Sequence, residues 1–532
     1  MDRIQKDIES LFGNAASQEA VARYGASDQA AILNLLHSSY TVYRLDDPRC
    51  DVRALLAAAP ISETFLRAAK KGDRGTAKAV AELAPKEWGW NQFDNISGRT
   101  KDIANGLAGG AKFMLSPFDG SLARTRHSLG REWYLYRDDE SYCLMGQIGT
   151  TANHVHQETV WIFPQCKVIL YVINGFELDH ILNVTATIIG KCLERKDEVG
   201  RYIMSETRSV AICDFWCPHL GHYLWNLLSG WANLFSVAPL DGIDRFLIFR
   251  DQDFFGSLTQ LFPEEMRQAR IDTVQNDDEV FDFILRDNLL IFSVRDENIS
   301  VELTDRIVRH AYSVCSDTFL QRARDMRIKA SPLMLITIRL DNRSWREQLT
   351  GWVHVFRQLH KKYPNIGLII HGLSGDSAKG WTTTWMSVDA ELAVANYIEH
   401  KLSKQMPVIN IVGQRFAESI VLSDLTDAFV APSGSGMALY KWITNKPGVA
   451  FSNRVVLDAK RPFVAIRVFD KFRPGITPAR YISADCVRDI EDNNHGIPHR
   501  NNFSMNWRDL LAAVDAMLTE LFPAAGASNT SG

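Results

Sequence analysis

DAFVAPSGSGMALYKWITN, residues 427 to 445, holds in one stretch an apolar strand, a glycine-rich turn and the start of a helix. The run "DAFVAP" is short and almost unbroken in its hydrophobicity, the form of a strand covered on both faces. Ser433, Gly434, Ser435 and Gly436 follow it directly. The glycines allow close approach of a ligand to the main chain, and a turn that leads into a helix leaves N–H groups with no intrahelical acceptor. The stretch is therefore an expected anion or pyrophosphate seat, the plainer reading being a tight strand-to-helix turn with no ligand. It is neither a complete G-x-G-x-x-G nor a P-loop. It also lies too far along the chain to open a first βαβ unit, which argues against a dinucleotide fold of the dehydrogenase type.

Outward from this turn the chain alternates strands and helices. Before it come "PLMLITIRL" (332–340), "GWVHVFRQLHKKYP" (351–364), "IGLIIHGL" (366–373), "ELAVANYIEHKLSKQ" (391–405), "VINIVG" (408–413) and "FAESIVLSDL" (416–425), and after it "PGVAFSN" (447–453). The same rhythm runs earlier through "SVAICDFW" (209–216), "LGHYLWNLLSGWANLFSV" (220–237), "DRFLIFRD" (244–251), "FGSLTQLFPEEMRQA" (255–269), "NLLIFS" (288–293) and "VELTDRIVRHAYSVC" (301–315). Such alternation predicts an α/β fold with two tandem Rossmann-like, doubly wound domains and a cleft at the carboxyl ends of their strands. Ala- and Leu-rich periodic stretches at 18–40 and 51–85 predict a helical N-terminal segment, residues 1–87. Aromatic and β-branched runs between 131 and 176 open a sheet. The expected division is 88–330, 331–522 and a disordered tail, 523–532, with no internal repeat at a fixed period.

The chain has 532 residues, 46% hydrophobic and 23% charged, a globular balance with room for two or three domains. Its 59 basic and 63 acidic residues are interspersed, giving a net charge of -4 with no basic tract, so no nucleic-acid partner is expected. Neither a signal peptide nor an 18-residue apolar run is visible, so no transmembrane segment is expected. The eight scattered cysteines suit reduced thiols, and the expected location is the cytoplasm.

Two further stretches carry candidate chemistry. In "ITIRLDNRSWREQ" (336–348), Arg339, Arg343 and Arg346 stand at the end of a strand, where guanidinium groups can fork onto phosphate oxygens; alternatively they pair with Asp341 and Glu347 in a solvated loop. In "CPHLGHYLWNLLSGW" (217–231), helical spacing puts His219, His222 and Asn226 on one edge, with His222 and Asn226 directly stacked. A neutral histidine there is a candidate general base, His222 before His219, or else a satisfied structural group. Cys213, Cys217, His219 and His222 are too crowded for a structural zinc, and no metal site is expected. Lesser candidates are His371 and Gly372 at a strand end, Glu418 on a helix, His154 and His156 in "NHVHQE", and the D-x-D pair Asp251 and Asp253, which reads better as turn residues than as a metal site. Of Trp216, Trp225 and Trp231, at least two are expected in the core.

Three pieces, in order, resemble the family 61 glycosyltransferases and their GT-B-fold relatives. "LGHYLWNLLSGW" is similar to the family's G-H-W-x-x-D-x-L, "ITIRLDNRSWREQ" to its S-R-x-x-x-R-x-x-x-N, and "ESIVLSDLTDAFVAPSGSGMALYKWI" to its E-x-I-x-x-x-x-x-A-D-x-x-x-G-x-H-G-A-G-L. The likeness spans about residues 205 to 455. Asn226 stands where the family has an aspartate, and Ser433 where it has a histidine. The resemblance implies a GT-B-like architecture with an acceptor-side domain followed by a nucleotide-sugar donor domain. It also implies inverting, metal-independent transfer of a sugar to a glycan or glycoconjugate hydroxyl in polysaccharide assembly, with a nucleotide-sugar co-substrate and no cofactor. The alternatives are a non-catalytic glycan- or nucleotide-binding protein on the same scaffold and a different two-lobed enzyme, such as a sugar-nucleotide epimerase. The N-terminal segment is open to a peripheral membrane or homo-oligomer contact.

Overall fold

A computed structural model describes residues 40–71, 73–84, 98–137, 141–149, 157–172, 178–238, 240–375, 387–458, 473–490 and 498–523. Two compact units share the chain. One comprises Met1–Cys217, Gly230–Arg250 and Glu264–Glu297; the other comprises Pro218–Ser229, Asp251–Pro263 and Asn298–Gly532. Pro218–Ser229 of the histidine stretch, read from sequence with the earlier half, thus belongs to the later unit.

The first unit contains β1 (Thr41–Arg44), β2 (Lys112–Leu115), β3 (Leu122–Thr125), β4 (Ser128–Gly130), β5 (Trp133–Arg137), β6 (Tyr142–Gly149), β7 (Gln157–Phe163) and β8 (Val168–Val172), then β9 (Ser209–Cys213), β10 (Arg245–Phe249), β11 (Arg270–Val274) and β12 (Leu289–Ser293). Strands β9 to β12 form a parallel sheet of order β11-β10-β9-β12, in which β9, β10 and β12 are the strands expected there. The aromatic runs after residue 130 form a second sheet, β1-β8-β7-β6-β5-β4, antiparallel except between β1 and β8.

Several elements depart from the sequence reading, among them β11 and the helix Asp277–Asp287, which it left unassigned. Within the segment read as helical, Thr41–Arg44 is a strand, because Thr, Val and Tyr suit a pleated edge and Thr41 pairs with Val168; the helices Val52–Ala58, Glu63–Ala69 and Asp73–Leu83 then follow. The single helix read over 255–269 is two short turns, Leu258–Leu261 and Pro263–Met266, since Pro263 has no N–H to continue the first and instead opens the second. Helix Asp317–Lys329, capped by Ser316, was not distinguished in the sequence. The expected helix of 18–40, apart from Tyr40, and the tail from residue 524 lie outside the described residues.

The second unit is built on β13 (Leu333–Thr337), β14 (Gly367–His371), β15 (Val408–Asn410), β16 (Ala428–Pro432), β17 (Gly448–Phe451) and β18 (Arg480–Tyr481), followed by the hairpin β19 (Val487–Ile490) and β20 (Asn502–Met505). The six strands are parallel in the order β15-β14-β13-β16-β17-β18. Counted from β13 this is 3-2-1-4-5-6, the doubly wound Rossmann order. Every residue of β13, β14, β16 and β17 is buried, as a sheet with two covered faces requires. Helix Gln348–Lys362 lays Trp352, Phe356 and Leu359 into the core, where Trp352 meets Trp345 edge to face at 5.5 Å. Helix Trp507–Leu521, capped by Asn506, adds Leu510, Val514 and Leu518. The strand order reverses between β13 and β16, so the crevice at their carboxyl ends, after Thr337 and Pro432, is where such a sheet receives a ligand.

Candidate functional site

Arg339 leaves the end of β13 with its backbone clamped by Gln348. The Gln348 amide donates to Arg339 O at 2.8 Å and accepts from Arg339 N at 3.3 Å. The guanidinium then folds over its own loop: Nε donates to Asn342 O at 2.6 Å, Nη2 to Asn342 Oδ1 at 2.7 Å, and Asp341 Oδ1 lies 3.0 Å from Nε. Arg343 donates from Nε to the same Asn342 Oδ1 at 3.1 Å. One amide oxygen thus holds two guanidinium groups side by side, and Arg343 reaches this position with a left-handed φ of 53°. Burial and the Arg339 charge lower its pKa to about 9; Asp341 acts in the opposite sense and Arg500 adds to the lowering. The expected pairing with Asp341 is therefore present for Arg339, in the same loop as the expected cation cluster. Arg346 is exposed, with its N–H donated to Phe503 O on β20.

Across the switch point, β16 delivers the glycine turn. Ser433 N donates to Phe451 O at 2.7 Å, while its fully buried Oγ has no hydrogen-bond partner among the described residues. A Cβ on Gly434 would stand 2.6 Å from Arg339 Nη1 and 3.7 Å from Arg343 Nη2, so glycine is what lets the cations lie against the turn. Met437, Ala438 and Leu439 donate back to Gly434, Ser435 and Gly436 carbonyls. The N–H groups of Gly434, Ser435 and Gly436 find no acceptor among the described residues. The helical turn that follows, Ala438–Ile443, is π-type, and its Tyr440 hydroxyl meets Thr337 Oγ1 at 3.0 Å beneath the crevice.

The histidine stretch packs onto this turn. Gly221 comes against Ser435, a Cβ on it lying 3.4 Å from Ser435 Cβ, and Trp225 lies 6.2 Å from Trp442. One α-turn, Leu220–His222, passes into a π-turn, Tyr223–Leu228. His222 Nδ1 and Asn226 Oδ1 are 2.8 Å apart, as the spacing of four predicted. An amide oxygen only accepts, so Nδ1 carries the hydrogen and Nε2 of the neutral ring carries the lone pair. His219, its ring 5.0 Å from that of His222, retains some surface; its pKa is nevertheless lowered to about 3, first by burial and then by His222, Arg343 and Arg339.

The remaining candidates divide. His371 ends β14 buried, with both ring nitrogens lacking partners among the described residues and its pKa lowered by burial to about 4. Gly372 is fixed by a carboxylate that sequence reasoning missed: a Cβ there would fall 2.5 Å from Glu391 Oε2. Glu418 does not face the crevice chemistry in any described contact; it closes the first turn of its own helix, Phe416–Leu425, by accepting from Arg415 N at 3.1 Å, as carboxylates at helix starts do. Asp251 and Asp253 are exposed, Asp251 in a left-handed turn at φ 61°. His154 and His156 lie outside the described residues. Among the described residues no group of three or more His, Cys, Asp or Glu side chains is arranged to hold a metal, and no helix is long and apolar enough to cross a membrane. Trp225 and Trp231 are core residues, and Trp216 is exposed. Gln348 and Asn342 were in plain view in the 336–348 stretch, where an amide next to two arginines was the available signal. Glu391 lies 43 positions or more away from them along the chain, and no local pattern marks it.

No family model and no curated protein matches this sequence. Among solved structures, the chain is similar to a family 9 glycosyltransferase from Veillonella parvula DSM 2008 (10% identity, 59% of this chain and 99% of that one, TM-score 0.34). It is similar also to ADP-heptose LPS heptosyltransferase II of E. coli (10%, 59% and 99%, TM-score 0.28) and to UDP-GlcNAc 2-epimerase of Methanocaldococcus jannaschii (11%, 59% and 93%, TM-score 0.29). At these values the likenesses carry no weight for the reaction, and membership of glycosyltransferase family 61 is not shown.

Proposed function

We propose that this chain is a glycosyltransferase that moves a sugar from a nucleotide-sugar donor to a glycan or glycoconjugate hydroxyl, with inversion and without an obligatory metal. The observation that supports this most is the meeting, at the switch point of a 3-2-1-4-5-6 sheet, of Arg339, Arg343 and three amides lacking described acceptors, with His222 and Asn226 packed beside them. Two guanidinium groups and a row of N–H donors suit a diphosphate leaving group, whose charge grows as its bond to the sugar breaks. In this reading the acceptor oxygen attacks the anomeric carbon as the bond from that carbon to the diphosphate oxygen breaks. The electron pair leaves with the diphosphate, and the acceptor proton passes to His222 Nε2. Asn226 orients that ring by taking the Nδ1 hydrogen. His219, at about 3, is too weak a base for this step and serves as a neutral hydrogen-bonding group. His371 and Ser433 Oγ, buried without described partners, are candidates for polar contacts to the donor. The eight cysteines, none of them in a disulfide, suit the cytoplasm, where polysaccharide or glycoconjugate assembly would place the enzyme.

Calorimetry with UDP, GDP, CDP and dTDP, followed by hydrolysis assays over a panel of labelled nucleotide-sugars, tests the proposal. Uptake of one diphosphate and slow donor hydrolysis that Arg343→Ala abolishes are expected. No uptake of any of the four overturns the reading. Tight binding without turnover would favour the non-catalytic alternative, which the amide at 226, in place of a carboxylate, keeps specific.

A further inference from the structure

Glu391 is 3% exposed and sits in the first turn of helix Val388–Leu402, yet its carboxylate points back to the strand ends. Oε2 accepts from Leu373 N at 2.6 Å and lies against Gly372, so it holds the loop after β14. That loop runs beside the loop after β13: Thr337 pairs with His371, and Ile338 N donates to His371 O at 2.7 Å, which brings residues 339–341 alongside 372–373. The largest charge effects on Glu391 accordingly come from Asp341, which opposes its ionisation, and Arg339, which favours it.

We infer that Glu391 is a positioning residue of the diphosphate seat, a second carboxylate that competes for Arg339 and weakens its hold on a bound diphosphate when ionised. The inference rests on the diphosphate reading proposed above. Ionised, Glu391 adds a second negative charge to that of Asp341, so the two carboxylates offset the two guanidinium groups and the seat has no net positive charge. Protonated, Glu391 still holds Leu373 N through its carbonyl oxygen, and Arg339 regains charge to offer. Burial, ahead of the neighbouring charges, raises this carboxyl to about 7, so the change falls in the neutral range. Other titratable groups are few around it. Gly372 to Gly375 and Ile411 to Gln414, on the loops after β14 and β15, bring no acidic or basic side chain; Asp389 stands two residues before it on its own helix; Arg357 and His360 are the partly buried ionisable groups of the neighbouring helix Gln348–Lys362.

The test compares the full-length protein with Glu391→Gln, titrating each with UDP by calorimetry from pH 5.5 to 8.5. Ligand titration affects both proteins alike, so the ratio of the two Kd values isolates Glu391. The ratio should be close to one at pH 5.5 and rise to roughly fivefold weaker binding by the unmodified protein at pH 8.5, the effect of one charge at the distance of a neighbouring loop. A flat ratio overturns the inference while leaving the diphosphate seat standing. No UDP binding by either protein at any pH overturns both. If Glu391→Gln does not fold, repeating the unmodified protein's titration at pH 7.5 in buffers of different ionisation enthalpy decides: net proton uptake on UDP binding is expected, and release or no exchange refutes it.

Discussion

Replacing Glu391 by Gln perturbs stability in a way that needs no ligand to measure. The carboxyl is buried, held at one oxygen by Leu373 N, and raised from its ordinary 4.5 to about 7. Its folded value exceeds its unfolded one, so between pH 4.5 and 7 the native protein binds more protons than the unfolded chain. The stability that the protonated group contributes is complete below pH 4.5, declines through that window, and is gone above 7. At 1.36 kcal/mol per pH unit the full span is roughly 3 kcal/mol, most of which falls between pH 5 and pH 8. Gln cannot ionise, keeps an oxygen for Leu373 N, and removes the pH-dependent part. In urea unfolding followed by tryptophan fluorescence, the unmodified protein should lose roughly 2 to 3 kcal/mol more than Glu391→Gln on going from pH 5 to pH 8, a relative midpoint shift of roughly 1 M. At pH 8 the Gln variant should be the more stable of the two. Parallel pH dependences would refute the reasoning, because they would mean that Glu391 ionises in the folded protein as it does in the unfolded chain.

The other expectations concern the seat and the base. Arg343→Ala removes one of two cations against the Gly434 turn and should weaken UDP binding roughly 10- to 100-fold, the range of one charge-assisted hydrogen bond, with the thermal midpoint changed little; an unaltered Kd in calorimetry would detach Arg343 from the ligand. Gly434→Ala brings a methyl to 2.6 Å from Arg339 Nη1, so it should displace that guanidinium and weaken the same binding without removing a charge, which calorimetry with UDP checks. His222→Ala should lower transfer by roughly 10²- to 10⁴-fold, as expected for loss of a general base, while leaving the UDP Kd within a few-fold; a loss of binding instead of turnover would make His222 a donor contact.

Much of this architecture was legible because it rests on local patterns. "LMLIT", "GLIIH" and "AFVAP" are apolar from end to end, as strands buried on both faces must be, and their alternation with periodic helices leaves few topologies for the second unit. The contact between His222 and Asn226 followed from a spacing of four. What eluded the sequence came from partners far apart in the chain. β1 is a strand because β8, more than 120 residues later, offers an edge to pair with. Glu391 reaches the site because β13 and β14 are adjacent in the sheet, a fact of topology that no window of sequence contains. Glu418 was misplaced for the opposite reason: the carboxylate three residues after a helix start has a local use, and the structure spends it there.

The two π-turns explain why the site itself was harder to read than the scaffold around it. Tyr223–Leu228 and Ala438–Ile443 face each other through Trp225 and Trp442, and each closes i→i+5 bonds, Ser229 N to Leu224 O and Thr444 N to Leu439 O. One extra residue per turn rotates everything downstream relative to an α-helical wheel, so a wheel drawn from His219 loses register within the stretch that matters. Such turns are rare, weaker than α-helix, and concentrated at functional sites, where they persist because surrounding packing holds them. Here that packing is buried: Leu224, Trp225, Leu227, Leu439, Tyr440 and Trp442 are all core residues. The core of the second unit therefore does more than stabilise the sheet, since it also holds two unfavourable turns against each other and so sets where His222, the Gly434 turn and the two arginines stand.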